Sequence, residues 1–247
     1  MAHPEILLFF CCVAFIYASV GFGGGSSYLA ILAFYSFPFH ELRLTALVCN
    51  LVVVSGGTII FIRHKEVSWK KVIPLVSTGV IMAFIGATLK LKENTFYIIL
   101  AFSLIIAGLL LWIQPKIKEK EKHSRDSIIK NGFIGAAIGF LSGMVGIGGG
   151  IFLSPLLNIF NWDTPKKIAA TASLFILVNS IGGIGGQLTK SSESINFNNI
   201  LFLAISVLIG GQLGSRFGVI KFNQLVVKRM TGILVFLAGL EVLYKHL

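Results

Sequence analysis

The chain has 247 residues, of which 55% are apolar and only 13% are charged, and its mean hydropathy is +0.86. Soluble domains carry about 25% charged residues, so this composition excludes an ordinary water-soluble fold. The net charge of +11 comes from Lys and Arg in short connections between apolar stretches. That pattern is typical of a membrane protein with basic loops on one side, and it gives no reason to expect a nucleic-acid partner.

Uncharged stretches recur along the whole chain, and a membrane-spanning helix needs about 20 such residues. The stretches cover residues 6–39, 44–62, 72–89, 94–115, 131–162, 168–189, 194–215 and a last one from 230, broken only by Glu241. Six have the length of a single span and two are longer. The sequence therefore predicts an all-α integral membrane protein with about eight to ten helical segments.

The two overlong stretches, 6–39 and 131–162, each contain a glycine cluster. A continuous helix over residues 6–39 would be roughly 51 Å long at 1.5 Å per residue, whereas the hydrocarbon core of a bilayer is about 30 Å thick. Each stretch must therefore break. Glycine has low helix propensity and adopts positive φ readily, so we expect the breaks at Gly21–Gly25 and Gly146–Gly150.

The glycine clusters belong to an internal repeat. The sequence Val-Gly-Phe-Gly-Gly-Gly at 20–25 recurs as Val-Gly-Ile-Gly-Gly-Gly at 145–150, an offset of 125, and Thr-Ala at 45–46 recurs at 171–172, an offset of 126. Three further apolar stretches follow each copy. The sequence predicts a first transmembrane repeat over 1–115, a charged linker over 116–130 and a second transmembrane repeat over 131–247.

The distribution of basic residues predicts the topology. If each overlong stretch crosses the membrane once, the 21 Lys and Arg divide 12 to 9 between the two sides; if each turns back at its glycines, they divide 16 to 5. The positive-inside rule favours the second arrangement, with linker 116–130 in the cytoplasm and both termini outside. The two repeats are then inverted, as in many secondary transporters. Whether the broken segments cross fully or are re-entrant stays open.

The apolar stretches contain little side-chain chemistry. Glu241 is the one acidic residue of the ten inside a stretch, and no His, Lys or Arg lies at a helix centre. A carboxylate proton relay, a metal site, a cofactor and an enzymatic activity are therefore not expected. Trp69, Trp112 and Trp162 lie near stretch ends, where we interpret them as interfacial anchors.

Backbone groups at the glycine breaks form the candidate binding site. A helix that restarts after a break has free N–H groups and about half a positive charge at its N-terminus, and two such ends facing each other bind an anion without a charged side chain. The candidates are Gly23, Gly24, Gly25, Ser26, Ser27, Gly148, Gly149 and Gly150, with Thr45, Asn50, Thr171, Ser173 and Asn179 as polar residues on the next helices. The alternative is that these small and polar residues only pack helices together.

These motifs resemble those of one known family. The doubled Gly-x-Gly-Gly-Gly, Pro155-Leu156 after the second copy, and Thr-Ala-Ser-Leu at 171–174 resemble the TauE/SafE family over nearly the whole chain. The resemblance implies a secondary transporter in a prokaryotic inner membrane that carries sulfite, sulfonates or related organosulfur anions. A passive anion channel remains the alternative, and a homo-oligomer is possible on the sequence.

Overall fold

The computed structural model describes residues 4–19, 21–35, 37–113, 127–189, 197–221 and 224–246, and within these residues it contains helices and no strands. The helices are α1 Glu5–Ser19, α2 Gly25–Phe34, α3 Phe39–Arg63, α4 Trp69–Thr88, α5 Glu93–Ile113, α6 Ile128–Val145, α7 Gly150–Ile159, α8 Pro165–Leu188, α9 Phe197–Lys221 and α10 Gln224–His246. The predicted all-α fold with up to ten segments is confirmed. Six of these helices are long and apolar enough to cross a membrane, which makes the chain a multi-pass membrane protein.

Both overlong stretches break at their glycines, as predicted. The first becomes α1 and α2, and the second becomes α6 and α7. The N-cap residues of α2 and α7, Gly24 and Gly149, have φ of 88° and 84°, a left-handed conformation that is costly for any residue with a Cβ atom. The glycines are therefore required by the backbone at the point where each helix restarts.

Small residues let neighbouring helices pack closely and reveal their directions. In α1 and α9, Leu7 accepts a hydrogen bond from Ser206, and a methyl group added at Gly214 would strike the carbonyl oxygen of Phe15. The partner numbers rise together, so these two helices are parallel. The residue numbers of contacting pairs in α3 and α9 also rise together, since Gly211 lies against Val53 and Gly56 against Gln212. These two helices are therefore parallel as well.

Helices α4, α6 and α8 are parallel to one another in the same way. Added methyl groups at Gly135 and Gly143 of α6 would meet carbonyl oxygens of Leu75 and Ala83 in α4. Helices α4 and α8 also run together, since Gly79 lies against Phe175, Gly182 against Val80 and Gly186 against Phe84. Glycines within these helices thus contact neighbouring helices directly.

The two sets oppose each other. Between α3 and α8, Thr58 pairs with Ser173 while Gly183 lies against Leu47, so these helices are antiparallel. Helices α1, α3 and α9 therefore run one way, and α4, α6 and α8 run the other way. Counterpart helices of the two halves, such as α1 and α6 or α3 and α8, thus have opposite directions.

Two faces of the molecule follow from these directions. We call the end where α3 and α5 finish and α4, α6 and α8 begin the linker face, and the other end the opposite face. Since α1 and α3 both begin at the opposite face, α2 must lead back to it, and α7 likewise leads back to the linker face. The placement of these faces in a membrane and the repeat boundaries stay predictions, and residues 116–126 of the predicted linker lie outside the described residues.

Helix α3 begins earlier than its uncharged stretch. It starts at Phe39 after Pro38 and so includes Glu41 and Arg43, which are 5% and 7% exposed. The prediction that Glu241 alone of the acidic residues lies within a membrane span is therefore wrong, since candidate spans begin at Glu41 and at Glu93. A carboxylate in the first turn is stabilised by the positive end of the helix dipole, which the search for uncharged stretches ignores.

A polar ring lies at the linker face between α4, α6 and the segment that joins α7 to α8. Lys71 Nζ lies 3.4 Å from Asp163 and donates to the carbonyl of Trp162 at 3.2 Å, and the Trp162 indole donates to Asn131 at 3.0 Å. Asn131 donates in turn to the carbonyl of Lys71 at 3.3 Å. Trp162 is 5% exposed, so its interpretation as an interfacial anchor is wrong. Its indole N–H needed a partner that the sequence did not indicate.

Candidate functional site

The two glycine turns, residues 21–25 and 146–150, meet around a single side chain. Asn50 of α3 is 0% exposed, and its amide nitrogen donates a 2.8 Å hydrogen bond to the carbonyl oxygen of Ile147 in the second turn. Methyl groups added at Gly23 and Gly25 of the first turn would overlap the same amide. An added methyl at Gly25 would also lie 2.7 Å from the Ile147 oxygen. The turns are therefore in direct contact, with Asn50 between them.

Helix α8 completes this centre with Ser180. A methyl group added at Gly148 would lie 2.8 Å from the Asn50 amide nitrogen and 3.3 Å from the Ser180 hydroxyl. Among the described residues, neither the Ser180 hydroxyl nor the Asn50 amide oxygen has a hydrogen-bond partner, although both are buried. A buried polar group left unpaired costs about 1–3 kcal/mol. Such groups at one point indicate a site that a ligand or water satisfies.

The other candidate residues at the two turns contact side chains next to this centre. Gly24 lies against the ring of Tyr28 in its own helix, and Gly149 lies against Phe175 of α8. The Tyr17 hydroxyl pairs with the hydroxyls of Ser26 at 3.3 Å and Ser27 at 2.7 Å. These hydroxyls therefore tie α1 to α2. Gly150 lies against Ile176, one turn of α8 from Ser180.

The four other predicted polar residues lie on the flanks of this centre. Thr171 donates to the carbonyl of Lys167 in its own helix at 2.8 Å, and Ser173 pairs with a hydroxyl of α3 at 2.9 Å. Asn179 and Thr45 are buried with side-chain atoms that have no partner within the described part of the chain. The Asn179 amide oxygen would lie 3.1 Å from a methyl group added at Gly79 of α4. Their role in binding stays a prediction.

Polar and small residues recur at every seventh position along α3 and α8, and we call these eight residues the polar path. Residues seven apart lie almost on one face of a helix, because 3.6 residues make a turn. The path consists of Arg43, Asn50, Gly57 and His64 on α3, and of Lys166, Ser173, Ser180 and Gln187 on α8. The 21 residues from first to last span roughly 31 Å, the thickness of a bilayer's hydrocarbon core.

Contacts between the antiparallel helices place these residues opposite each other. Gly57 faces Ser173, whose hydroxyl would lie 3.7 Å from an added methyl group. Asn50 and Ser180 meet at the second glycine turn, as described above. At the ends, Gln187 contacts Arg43, while His64 and Lys166 line one cavity. The sequence did not predict the polar path. Its seven-residue repeat consists of polar and small residues, whereas helix periodicity is usually recognised from apolar residues.

The polar path opens at the linker face. A cavity of about 310 Å³ lies there, lined by Ala18, Ser19, Gly21, Gly57, Ile60, Phe61, His64, Glu66, Lys166, Ala169 and Ser215. His64 and Lys166 are exposed at its mouth, Gly57 is half-buried, and Asn50 is fully buried. Accessibility thus falls from the linker face towards the centre, and the cavity reaches the first glycine turn at Gly21.

Arg43 fills the path at the opposite face. Its guanidinium donates to the carbonyl oxygens of Gly143 at 2.9 Å and Ala87 at 3.3 Å. The Gln187 amide, oriented with its oxygen towards the guanidinium, accepts from Nε at 2.6 Å and from Nη2 at 3.1 Å. These three residues lie in the last turns of α6, α4 and α8, where the carbonyl ends carry partial negative charge. Arg43 is not among the residues predicted from the sequence, because it precedes the uncharged stretch 44–62.

No group of three or more His, Cys, Asp or Glu within the described ranges is placed to hold a metal ion. The site contains small hydroxyls, the amide of Asn50 at its centre, the N-termini of α2 and α7, and the Arg43 guanidinium at the opposite face. This arrangement, a line of polar and small residues inside a bundle of helices long enough to cross a membrane, defines the chain as a multi-pass membrane protein with polar groups at its centre.

Comparison with known proteins agrees with this class. The sulfite exporter TauE/SafE family matches residues 6–242, so the chain belongs to the TauE/SafE family. It is 29% identical over 242 residues to a protein of Sinorhizobium fredii named as a probable membrane transporter, covering 95% of this chain and 96% of that one. A Methanocaldococcus jannaschii protein with the same description is 26% identical over 236 residues, covering 90% and 86%. No solved structure matches.

Proposed function

We propose that the chain is a secondary transporter that carries a small anion, a sulfur oxyanion such as sulfite or an organic sulfonate, along the polar path between α3 and α8. The observation that carries the proposal is a path lined by polar and small residues that is open at the linker face and closed at the opposite face. The family description and the names of the relatives support transport. The partners are the anion and the lipid bilayer; no cofactor and no chemical conversion is involved.

The chemistry of the path favours an anion over a cation. None of its eight residues is acidic, and Arg43 and Lys166 lie at its two ends. At the centre, the N-termini of α2 and α7 start beside Asn50, and neither has a side-chain cap. A cation site would need carboxylate or several carbonyl oxygens instead. Free N–H groups and an unpaired hydroxyl are donors, and an oxyanion accepts from donors.

A passive anion channel is the alternative, and the geometry favours a transporter over it. A channel in its conducting state needs a continuous opening, but here the path is fully buried at Asn50 and Ser180 and closed again at Arg43. Access from one face at a time is the property that alternating access requires. The inversion of α3 relative to α8 supports the same mechanism, since exchanging the two halves would exchange the open face.

The membrane orientation is part of this proposal. We propose that the two halves are inverted repeats in a prokaryotic inner membrane, with the linker face in the cytoplasm and the termini outside. The 16 to 5 division of Lys and Arg supports this orientation. Labelling of single cysteines at the linker and near each terminus tests it in intact cells. Finding the termini on the same side as the linker would refute the inverted arrangement.

Ligand-induced stabilisation tests the substrate. A ligand that binds the folded state only raises the melting temperature by mass action. Detergent-purified protein is titrated with sulfite, thiosulfate, sulfonates and carboxylates at constant ionic strength. We expect the sulfur oxyanions to raise the melting temperature most, and saturable flux of radiolabelled sulfite into proteoliposomes to follow. Equal shifts for all salts, together with no flux above that of protein-free vesicles, would contradict the proposal.

A further inference from the structure

We propose that Arg43 is the gate of the opposite face: its guanidinium seals the polar path there, and the path opens when an oxyanion replaces the carbonyl oxygens that now hold it. This inference rests on the proposed transport of an anion. It assigns a specific residue to the closed face of the path and a chemical class to the ligand that opens it.

In the part of the chain that the structure describes, the guanidinium of Arg43 is a buried cation without a carboxylate partner. Arg43 is 7% exposed, and within the described residues no carboxylate pairs with it. Its acceptors are neutral: two backbone carbonyls and one side-chain amide. A buried cation held only by dipoles retains a strong attraction for an anion, and a guanidinium matches the two oxygens of an oxyanion with parallel N–H bonds.

The two halves differ at the position of Arg43. At the offset of 126, the counterpart of Arg43 is Ala169. A methyl group added at Gly146 would lie 3.1 Å from Arg43 Cα, and one added at Gly21 would lie 3.3 Å from Ala169 Cβ. The two backbone positions are thus equivalent, each against the first glycine of the other half's turn. Ala169 lines the open cavity, whereas the Arg43 side chain occupies the corresponding space.

Arg43 lies between the centre of the path and the opposite face. It lies seven residues, about 10 Å, before Asn50 on the same face of α3. Gln187 has the same relation to Ser180 on α8. An anion that leaves the centre towards the opposite face therefore meets the Arg43–Gln187 pair next. Three helix ends, those of α4, α6 and α8, converge on the guanidinium, so its release would free all three.

Cysteine accessibility tests the gate without requiring transport. In a background with Cys11, Cys12 and Cys49 replaced by Ala, Ser180→Cys reports on the centre. A membrane-impermeant methanethiosulfonate with a trimethylammonium group is supplied from the opposite face. We expect slow modification with Arg43 present and at least tenfold faster modification in Arg43→Ala. Methanesulfonate, compared with chloride at equal ionic strength, should accelerate modification several-fold in the protein that retains Arg43.

Further variants separate the gate from general loosening of the fold. Ser215→Cys, labelled from the linker face, should keep its rate in every variant. Gln187→Leu leaves the guanidinium two carbonyl acceptors and should give a smaller increase than Arg43→Ala, and it remains informative if the latter does not fold. Arg43→Lys keeps the charge but not the fork of donors, so it should protect Ser180→Cys less than Arg43 does.

Three results would overturn the proposal: equal modification rates with and without Arg43, a rise at Ser215→Cys that matches the rise at Ser180→Cys, or no effect of methanesulfonate. The transport proposal fails differently. Sulfite flux could be absent while Arg43→Ala still opens the opposite face to the reagent. That result would support the sealing role of Arg43 and contradict the proposed substrate.

Discussion

The side-chain amide of Asn50 in the first half donates its hydrogen bond to the backbone carbonyl of Ile147 in the glycine turn of the second half. One side chain thereby ties the two halves together at the centre of the bundle. The counterpart of Asn50 at an offset of 126 is Ile176, which lies against Gly148 and Gly150 and offers no polar group. The central site is therefore asymmetric, although each half contributes a glycine turn to it.

We expect Asn50→Leu to abolish anion flux and to lower the free energy of unfolding by about 1–3 kcal/mol, because the Ile147 carbonyl is left buried without its donor. Flux in proteoliposomes and denaturation in detergent measure the two effects. Ser206→Ala is the matched control, since it also removes a hydrogen bond from a side chain to a carbonyl of another helix, here Leu7. It should lose stability by a similar amount and retain flux. Retained flux in Asn50→Leu would show that the anion does not pass Asn50.

Gly57 tests whether the path must stay open. An added methyl group there would meet only Ser173, at 3.7 Å, and the residue lies in the middle of α3, so packing does not require glycine. We expect Gly57→Ala to keep or raise stability by about 0.5–1 kcal/mol, because alanine favours a helix. Gly57→Leu should fill the path and stop flux while the protein remains folded. Normal flux in Gly57→Leu would place the route elsewhere.

Ala169→Arg tests the comparison between the two halves. The new side chain would extend into the 310 Å³ cavity at the linker face, as Arg43 does at the opposite face. With both faces closed, flux should fall by at least tenfold, and a cysteine at Ser215 should react more slowly with a reagent supplied from the linker face. Ala169→Ser, which adds one oxygen atom, should leave both measurements near their starting values. An open cavity in Ala169→Arg would contradict the equivalence of the two positions.

The polar ring at the linker face predicts a contrast between two lysines that contact the same carboxylate. Asp163 is 3.4 Å from Lys71, whose side chain is 10% exposed, and 3.7 Å from Lys167, whose side chain is 36% exposed. Removing one partner of a buried pair costs about 3–5 kcal/mol, whereas an exposed pair contributes about 0–1 kcal/mol. We therefore expect Lys71→Met to destabilise the protein far more than Lys167→Met. Equal losses in denaturation midpoint would mean that Asp163 is stabilised by its other contacts.

The sequence predicted the features that repeat or that follow from apolar length. The two glycine breaks and the all-α fold could be derived, because a 34-residue apolar stretch cannot be one membrane helix. Gly23, Gly25, Gly148 and Asn50 were site candidates from the glycine motifs and the polar residues of the next helix, and in the structure they lie against one another. Residues that differ between the halves were harder to recognise. Arg43 has Ala169 as its counterpart, so a search for repeated motifs does not select it.

The other features of the site depend on tertiary contacts, which the sequence does not show. Ser180 and Asn179 are adjacent in sequence and equally buried, but one faces the second glycine turn and the other faces Gly79 of α4. Only the helix that packs on each side distinguishes them. The same limit applies to Trp162, whose burial depends on Asn131 and Lys71 from two other helices.

Counterflow of radiolabelled sulfite in proteoliposomes tests the central claim, that the path delivers a small anion by alternating access. Vesicles are loaded with unlabelled sulfite and diluted into a trace of labelled sulfite. A transporter exchanges internal for external anion, so we predict transient accumulation of label above its external concentration, saturable with internal sulfite and absent in Gly57→Leu. Equilibration of label without an overshoot, at a rate that rises linearly with concentration, would contradict the claim and indicate a channel.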